Sequence, residues 1–187
     1  MDPDWGLIEK FFQGDRGAFE SLFHRHKEGL IRLSFRFVKQ RQAAEDIAQE
    51  VFIKVYEKKV KIDTRSKFST WLYRVTVNAS LDWVRRRKFL AFSLDRASED
   101  AEHGGDKLPE GLADPKSSSL RETLDTQELR KKVQDAIDQL PEKLKTPLLL
   151  YQFEQFSYQE IARILGLSEK AVERRLYHAR EALRKIL

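Results

Sequence analysis

With 187 residues, the chain is long enough for one large domain or two small ones, and its 41 % hydrophobic content suffices for packed cores. The charged fraction is 35 % and the formal net charge +5, a modest basic excess that suits a polyanionic partner. No cysteine is present, which excludes disulfides, thiolate zinc sites and cysteine nucleophiles and fits a reducing compartment. Met1-Asp2-Pro3-Asp4 lacks the basic head and apolar run of a signal peptide, and no apolar stretch has membrane-span length, so a cytoplasmic protein is expected.

Helical periodicity runs through most of the chain, and strand-like alternation is nearly absent, so an all-α fold is expected. The first helix spans Trp5 to Phe12, carries Leu7, Ile8, Phe11 and Phe12, and stops at Gly14-Asp15. A second begins near Arg16 and turns Phe19, Leu22, Phe23, Leu30 and Leu33 toward a core. A third, from Ala44 to about Lys58, has the stripe Ala44, Ile47, Ala48, Val51, Phe52, Val55 and Tyr56. The fourth, from Phe68 to Lys88, places Phe68, Trp71, Leu72, Val75 and Ala79 on one stripe and Val77, Leu81 and Val84 on a second. The composition then shifts. Ser93 to Asp125 is acidic and holds Gly104-Gly105, Pro109, Gly111, Pro115 and Ser117-Ser118-Ser119, the pattern of a flexible linker. The expected organisation is therefore a domain at 1–92, a linker at 93–125 and a domain at 126–187. Helical pattern resumes near Thr126 with Leu129, Val133, Ile137 and Leu140. Pro141 suits the first position of the next helix, and Pro147 should kink that helix or delay its start.

Near the C-terminus, Ser157-Tyr158-Gln159-Glu160 has the form of a capping box. The helix it opens carries Ile161, Ala162 and Leu165 and ends at Gly166, the usual left-handed stop. After Leu167, Ser168 can cap a second helix with Val172, Leu176, Ala179, Leu183 and Ile186 on its inner stripe. Two short helices joined by Gly-Leu-Ser make a helix-turn-helix, whose second helix enters the major groove of duplex DNA. Ser168, Glu169, Lys170, Glu173, Arg174, Tyr177, His178 and Arg180 are the candidate DNA contacts, with Arg174 the first choice for a guanine. Glu173 either accepts from a cytosine or pairs with a neighbour. An ordinary helical hairpin with a solvated charged face is the alternative to the whole motif.

In the N-terminal half, Asp46, Gln49, Glu50 and Ile53 fall on one outer face of the third helix. An isoleucine among fixed acids reads either as a solvated face or as a protein-docking patch. The aromatic-rich run Lys67 to Asn78 and the basic run Trp83 to Lys88 follow. Arg74, Asn78 and Arg85 share a face, and interleaved aromatic and basic groups suit single-stranded nucleic acid. His24, His26, His103 and His178 lack metal-ligand spacing, and no nucleophile arrangement or phosphate loop accompanies the acids, so neither metal, cofactor nor catalytic site is expected.

Four motifs in this order closely resemble the extracytoplasmic-function sigma factors of bacterial RNA polymerase: Ala44 to Tyr56, Phe68 to Asn78, Leu140-Pro141-Glu142, and Ser157 to Ala162. The resemblance omits only the linker. It implies a transcription initiation factor whose partners are core RNA polymerase, promoter DNA in duplex and single-stranded form, and an anti-sigma factor, with no small-molecule substrate. Asp46, Gln49, Glu50 and Ile53 would dock on the largest polymerase subunit. Trp71, Arg74, Asn78, Arg85, Arg86 and Arg87 would bind the minus-ten element, with Asn78 and the loop from Ile62 to Ser66 taking an extruded base. The recognition helix would read the minus-35 duplex. Two departures stand out: Ile62 replaces the usual loop aromatic, and Glu173 a usual basic residue. The rival readings are a free-standing helix-turn-helix regulator with a ligand-sensing half, a helical adaptor using the Asp46 face, and a nucleic-acid enzyme.

Overall fold

The computed structural model describes residues 2–57, 66–95 and 124–187, and among them every regular element is an α-helix. The chain divides into two compact units, Met1–Leu108 and Pro109–Leu187. Of the expected linker, residues 96–123 lie outside the described residues; helical structure continues to Asp95 and resumes at Leu124.

In the N-terminal unit each helix start has a local cause. Asp2 caps α1 (Pro3–Phe12), its carboxylate accepting from the Asp4 amide at 3.3 Å, and Pro3 opens the helix where a missing N–H does no harm. Asp15 caps α2 (Arg16–Val38) by accepting from the Ala18 amide at 3.2 Å. Lys39 turns left-handed, at φ 57°, and ends α2. The next helix, α3 (Arg41–Tyr56), begins ahead of the expected Ala44, since its first two residues, Arg41 and Gln42, are polar and exposed. Pairs one turn apart support that turn: Arg41 with Glu45 at 2.8 Å, and Gln42 donating to Asp46 at 2.9 Å. The fourth helix, α4 (Phe68–Asp95), runs past the expected end at Lys88.

Ile8 and Phe11 of α1, Leu22, Leu30 and Leu33 of α2, Ala44 to Val55 of the α3 stripe, and Phe68, Leu72 and Val77 of α4 form the core. Tyr56 departs from the expected stripe: at the end of α3 its ring packs against Phe11 and Phe19 while 52 % of the residue stays exposed. Phe19 and Phe23 are only half-buried, and Phe12 is exposed. Along α4, Phe68, Leu72, Thr76 and Ser80 are all buried at successive i, i+4 positions, and the Thr76 hydroxyl donates to the Leu72 carbonyl at 2.9 Å. Side-chain size falls along that row, which permits closer packing toward its C-terminal end. Beyond it, residues 85–90 are all exposed. Gly29 lets the Tyr73 side chain approach α2 closely: a Cβ there would stand 2.7 Å from the hydroxyl oxygen, and the tyrosine would have to shift.

The C-terminal unit comprises α5 (Leu124–Gln139), α6 (Glu142–Gln152), α7 (Tyr158–Leu165) and α8 (Glu169–Ile186). Leu129 was expected in the core but is 59 % exposed, because only the later part of α5, at Ala136 and Ile137, is covered. Pro141 is the N-cap of α6 and not its first residue; its carbonyl accepts from Leu144 and Lys145 at 2.8 and 2.9 Å. Pro147 does not delay α6, which starts at Glu142 and runs through it, with Pro147 buried. On α7, Ile164 is buried where Leu165 was expected, and on α8 Ile186 is exposed at the helix end.

A buried acid ties α1 to α2. Asp4 is 5 % exposed, forms a salt bridge to Arg25 and lies within hydrogen-bonding distance of the His26 ring, 2.8 Å from Nε2. Removing the carboxylate leaves the His26 side chain, 12 % exposed, without its partner, while Arg25, 48 % exposed, is met by water, so Asp4→Ala is expected to lower the stability of this unit by about 1–3 kcal/mol. Trp5, Trp71 and Trp83, the only tryptophans, lie in the N-terminal unit. Urea unfolding followed by tryptophan emission therefore reads that unit alone, and an unchanged midpoint would refute the contribution.

Candidate nucleic-acid and docking surfaces

The C-terminal surface is built on two caps and one left-handed glycine. Ser157 and Glu160 form the reciprocal capping box of α7: the Ser157 hydroxyl accepts from the Glu160 amide at 3.3 Å, and the Glu160 carboxylate accepts from the Ser157 amide at 3.0 Å. Gly166 adopts φ 65°, a conformation that strains side chains with a Cβ, and the Leu167 amide closes back on the Ala162 carbonyl at 2.9 Å. Ser168 then caps α8, accepting from the Ala171 amide at 3.2 Å. Ile161, Ala162 and Ile164 of α7 are buried, as are Val172, Leu176 and Ala179 of α8 and Leu148, Leu149 and Leu150 of α6.

With Val172, Leu176 and Ala179 fixed inward, Glu169, Lys170, Glu173, Arg174, Tyr177, His178 and Arg180 are all exposed. They are not equivalent. Lys170, Arg174, Tyr177 and His178 stand at i, i+4, i+7 and i+8 and share the outward side. The Arg180 guanidinium instead lies over the Tyr151 ring, 5.5 Å from its centroid, and so is directed back to α6. Among the described residues neither Glu173 nor Arg174 forms a salt bridge.

In the N-terminal unit, Asp46, Gln49, Glu50 and Ile53 are all exposed, Ile53 by 48 %. Glu50 is paired with Lys54 at 3.1 Å, and Asp46 accepts from Gln42, so the acids are held along α3 and do not fold over the isoleucine. On α4, Arg74, Asn78 and Arg85 are exposed at i, i+4 and i+11, on one side of the helix. Trp71 is half-buried, with its ring stacked on Phe68 at 6.0 Å and 17°. Arg85 approaches Asp82 at 3.6 Å, and the Arg87 guanidinium sits 5.3 Å from the Trp83 ring centroid. Ser66 is half-buried; Ile62 lies outside the described residues.

A groove of about 330 Å³ between α3 and α4 brings the two sets together. Glu50 and Lys54 line one wall, and Asn78, Asp82, Trp83 and Arg86 the other. Sequence reasoning had placed Glu50 and Asn78 in separate surfaces and assigned nothing to Lys54, Asp82 or Trp83. The helical phase of each was readable, but which side of α4 faces α3 is set by packing.

Comparison with known proteins bears on this arrangement. Residues 22–89 match the family model for sigma-70 region 2, and residues 130–183 match that for sigma-70 region 4. The RNA polymerase sigma-H factor of Pseudomonas aeruginosa is 35 % identical over 188 aligned residues, covering 100 % of this chain and 95 % of the relative. The ECF RNA polymerase sigma factor SigW of Bacillus subtilis is 33 % identical, covering 96 % and 94 %. The chain belongs to the extracytoplasmic-function sigma factors. As a sigma factor it is a transcription initiation factor, a partner of core RNA polymerase that directs it to promoters. Two solved structures share the fold of this sigma factor. CnrH in complex with the cytosolic domain of CnrY has a TM-score of 0.68 at 23 % identity, covering 99 % of this chain and 97 % of that one. RpoE of Bartonella quintana in complex with the anti-sigma factor NepR has a TM-score of 0.65 at 18 % identity, covering 90 % and 95 %. Among the described residues no helix of the sigma factor is long and apolar enough to cross a membrane.

Ser168 had been expected among the DNA contacts, and its hydroxyl is already engaged as a cap. Ser168→Ala should therefore weaken the first turn of α8 by about 1 kcal/mol, whereas Ser168→Asp, an equally good cap, should restore it. Hydrogen exchange of the Ala171 amide is the measurement: about fivefold faster in the alanine variant is expected, and wild-type exchange there would mean that the cap contributes nothing.

Proposed function

We propose that the two units of this sigma factor divide promoter recognition between them. Residues 1–92 dock on core polymerase and read the minus-ten element, 93–125 act as a flexible linker, and 126–187 read the minus-35 element. The observation that carries this reading is the exposed outward side of α8, a helix whose start is capped by Ser168, in the segment that matches sigma-70 region 4. A rigid helix with exposed Lys170, Arg174, Tyr177 and His178 suits a duplex major groove. Glu173 and Arg174 read bases there, Glu169, Lys170 and His178 flank them, and Ser168 and Arg180 contribute mainly by holding α8 and its approach to α6.

In the N-terminal unit, Asp46, Gln49, Glu50 and Ile53 form the polymerase dock. The minus-ten surface comprises Trp71, Arg74 and Asn78 with the cations Arg85, Arg86 and Arg87, together with Ile62 and Ser66 ahead of α4. Unpaired bases have open π-faces and hydrogen-bonding edges, which an aromatic ring, an amide and guanidinium groups can meet. The protein acts in the cytoplasm, performs no catalysis of its own and needs no cofactor. An anti-sigma factor completes the partner set; the Bartonella quintana sigma factor RpoE, of the same fold, was solved with one.

The test is transcription with the purified chain and core RNA polymerase on a library of promoter fragments, with start sites read by sequencing. Start sites that depend on both proteins are expected; none above core alone would overturn the reading. In the same assay Asp46→Arg combined with Glu50→Arg should abolish holoenzyme assembly while leaving helical content intact, and assembly at normal affinity would place the dock elsewhere.

Arg174→Ala isolates the duplex reader. A loss of about 1–3 kcal/mol confined to one base pair of the minus-35 element is expected. Binding of single-position variants gives the answer, and a uniform loss at every position would make Arg174 a phosphate contact.

A further inference from the structure

We propose that the start of α1 is a positioning device for the minus-ten surface, with Asp2 and Trp5 fixing the backbone from which α4 departs; this rests on the minus-ten reading above. Asp2 lies 66 positions before Phe68, yet its carboxylate accepts from the Phe68 amide at 2.7 Å, while its other oxygen accepts from the Asp4 amide. Phe68 is the first residue of α4, so its amide is one of the donors that a helix start leaves without an internal partner. One carboxylate thus caps two helices, and the positive ends of both helix dipoles converge on its charge.

Trp5 makes the second attachment. Its indole N–H donates to the Ser66 carbonyl at 2.8 Å, and its ring meets Phe68 edge-on at 5.9 Å. Phe68 in turn stacks on Trp71, which stands at i, i+3 and i+7 with Arg74 and Asn78. The attachments therefore act at the first turn of the helix that presents the minus-ten residues. They are held from behind, because Asp4, between Asp2 and Trp5, is bound to Arg25 and His26 of α2.

Burial alone would keep α4 in the bundle, since Phe68, Leu72 and Val77 are in the core. It would leave rotation and axial position less constrained. Reading a base requires its partners to be held within about 0.5 Å and 10–20°. Two directional hydrogen bonds at the helix start supply that constraint. Asp2 and Trp5 are positioning residues: they contact no DNA and act through Ser66 and Phe68.

The experiment compares holoenzymes of the full chain carrying Trp5→Phe, which keeps a ring and deletes the N–H, or Asp2→Ala. The probes are single-stranded oligonucleotides spanning the minus-ten strand of a promoter that the wild type uses, with each position changed in turn, read by fluorescence anisotropy. Both variants are expected to bind core polymerase and minus-35 duplex as the wild type does, and to lose about three- to tenfold of the preference for the best minus-ten sequence. Full preference in either variant overturns the proposal. So does an equal loss on every oligonucleotide with weakened core binding, which marks a merely structural bond. Absence of any preference in the wild-type holoenzyme would instead defeat the minus-ten reading, and the proposal with it.

Discussion

From Gly29 to Val38, α2 is buried at every position except Arg32 and Arg36, which are half-buried. A helix covered on that many sides cannot be stabilised by one neighbour. It packs against α1, α3 and α4, and each of these must turn its apolar stripe toward it. Burying such a stripe is worth about 25 cal/mol per Å² of apolar surface removed from water, so rotating α3 or α4 to expose it would be strongly disfavoured. The outward faces follow in helical phase from that burial. Because Ile47, Ala48, Val51 and Phe52 go in, Asp46, Gln49, Glu50 and Ile53 come out. Because Leu72, Thr76 and Ser80 go in, Arg74, Asn78 and Arg85 come out.

The C-terminal unit reaches a similar end by different means. Two of its helices are short: α6 has 11 residues and α7 has 8. Isolated helices shorter than about 12–15 residues are marginal in water. The capping box at Ser157 and Glu160, the left-handed Gly166 and the Ser168 cap satisfy orphaned backbone groups at three successive ends. Those ends fix the angle between α7 and α8 locally, and Ile161, Val172 and Leu176 then lock it by packing. The result is a rigid helix with a charged, exposed outer side, which is what reading a duplex groove demands.

On the proposed division of promoter recognition, contacts to phosphates would weaken steeply as salt rises. Two such surfaces on one chain would convert the second binding event into an intramolecular one, so that modest sites combine into useful affinity. The exposed residues 85–90 at the end of α4 fit this economy. Arg85, Arg86, Arg87 and Lys88 stand clear of the core, where desolvation does not penalise their charge, and Asp82 and Trp83 restrain two of them.

The sequence by itself determined the helical class, most helix boundaries within a few residues, and the helix-turn-helix in detail. These are local properties: a capping serine, a left-handed glycine and a 3.6-residue stripe act over a single turn or a single helix. Ordered motifs along the chain also made the sigma-factor family legible, and the surface phase of Asp46, Glu50, Asn78 and Arg174 followed from periodicity. Tertiary structure decided what periodicity cannot carry. Tyr56 and Leu129 sit on apolar stripes yet are exposed, since a stripe is buried only where a neighbour reaches it. Arg180 is exposed on α8 but its guanidinium lies over Tyr151, an attraction between side chains 29 positions apart. The α3–α4 groove and the Asp2–Phe68 and Trp5–Ser66 bonds join residues distant in sequence, and no local pattern encodes a donor waiting for an acceptor on another helix.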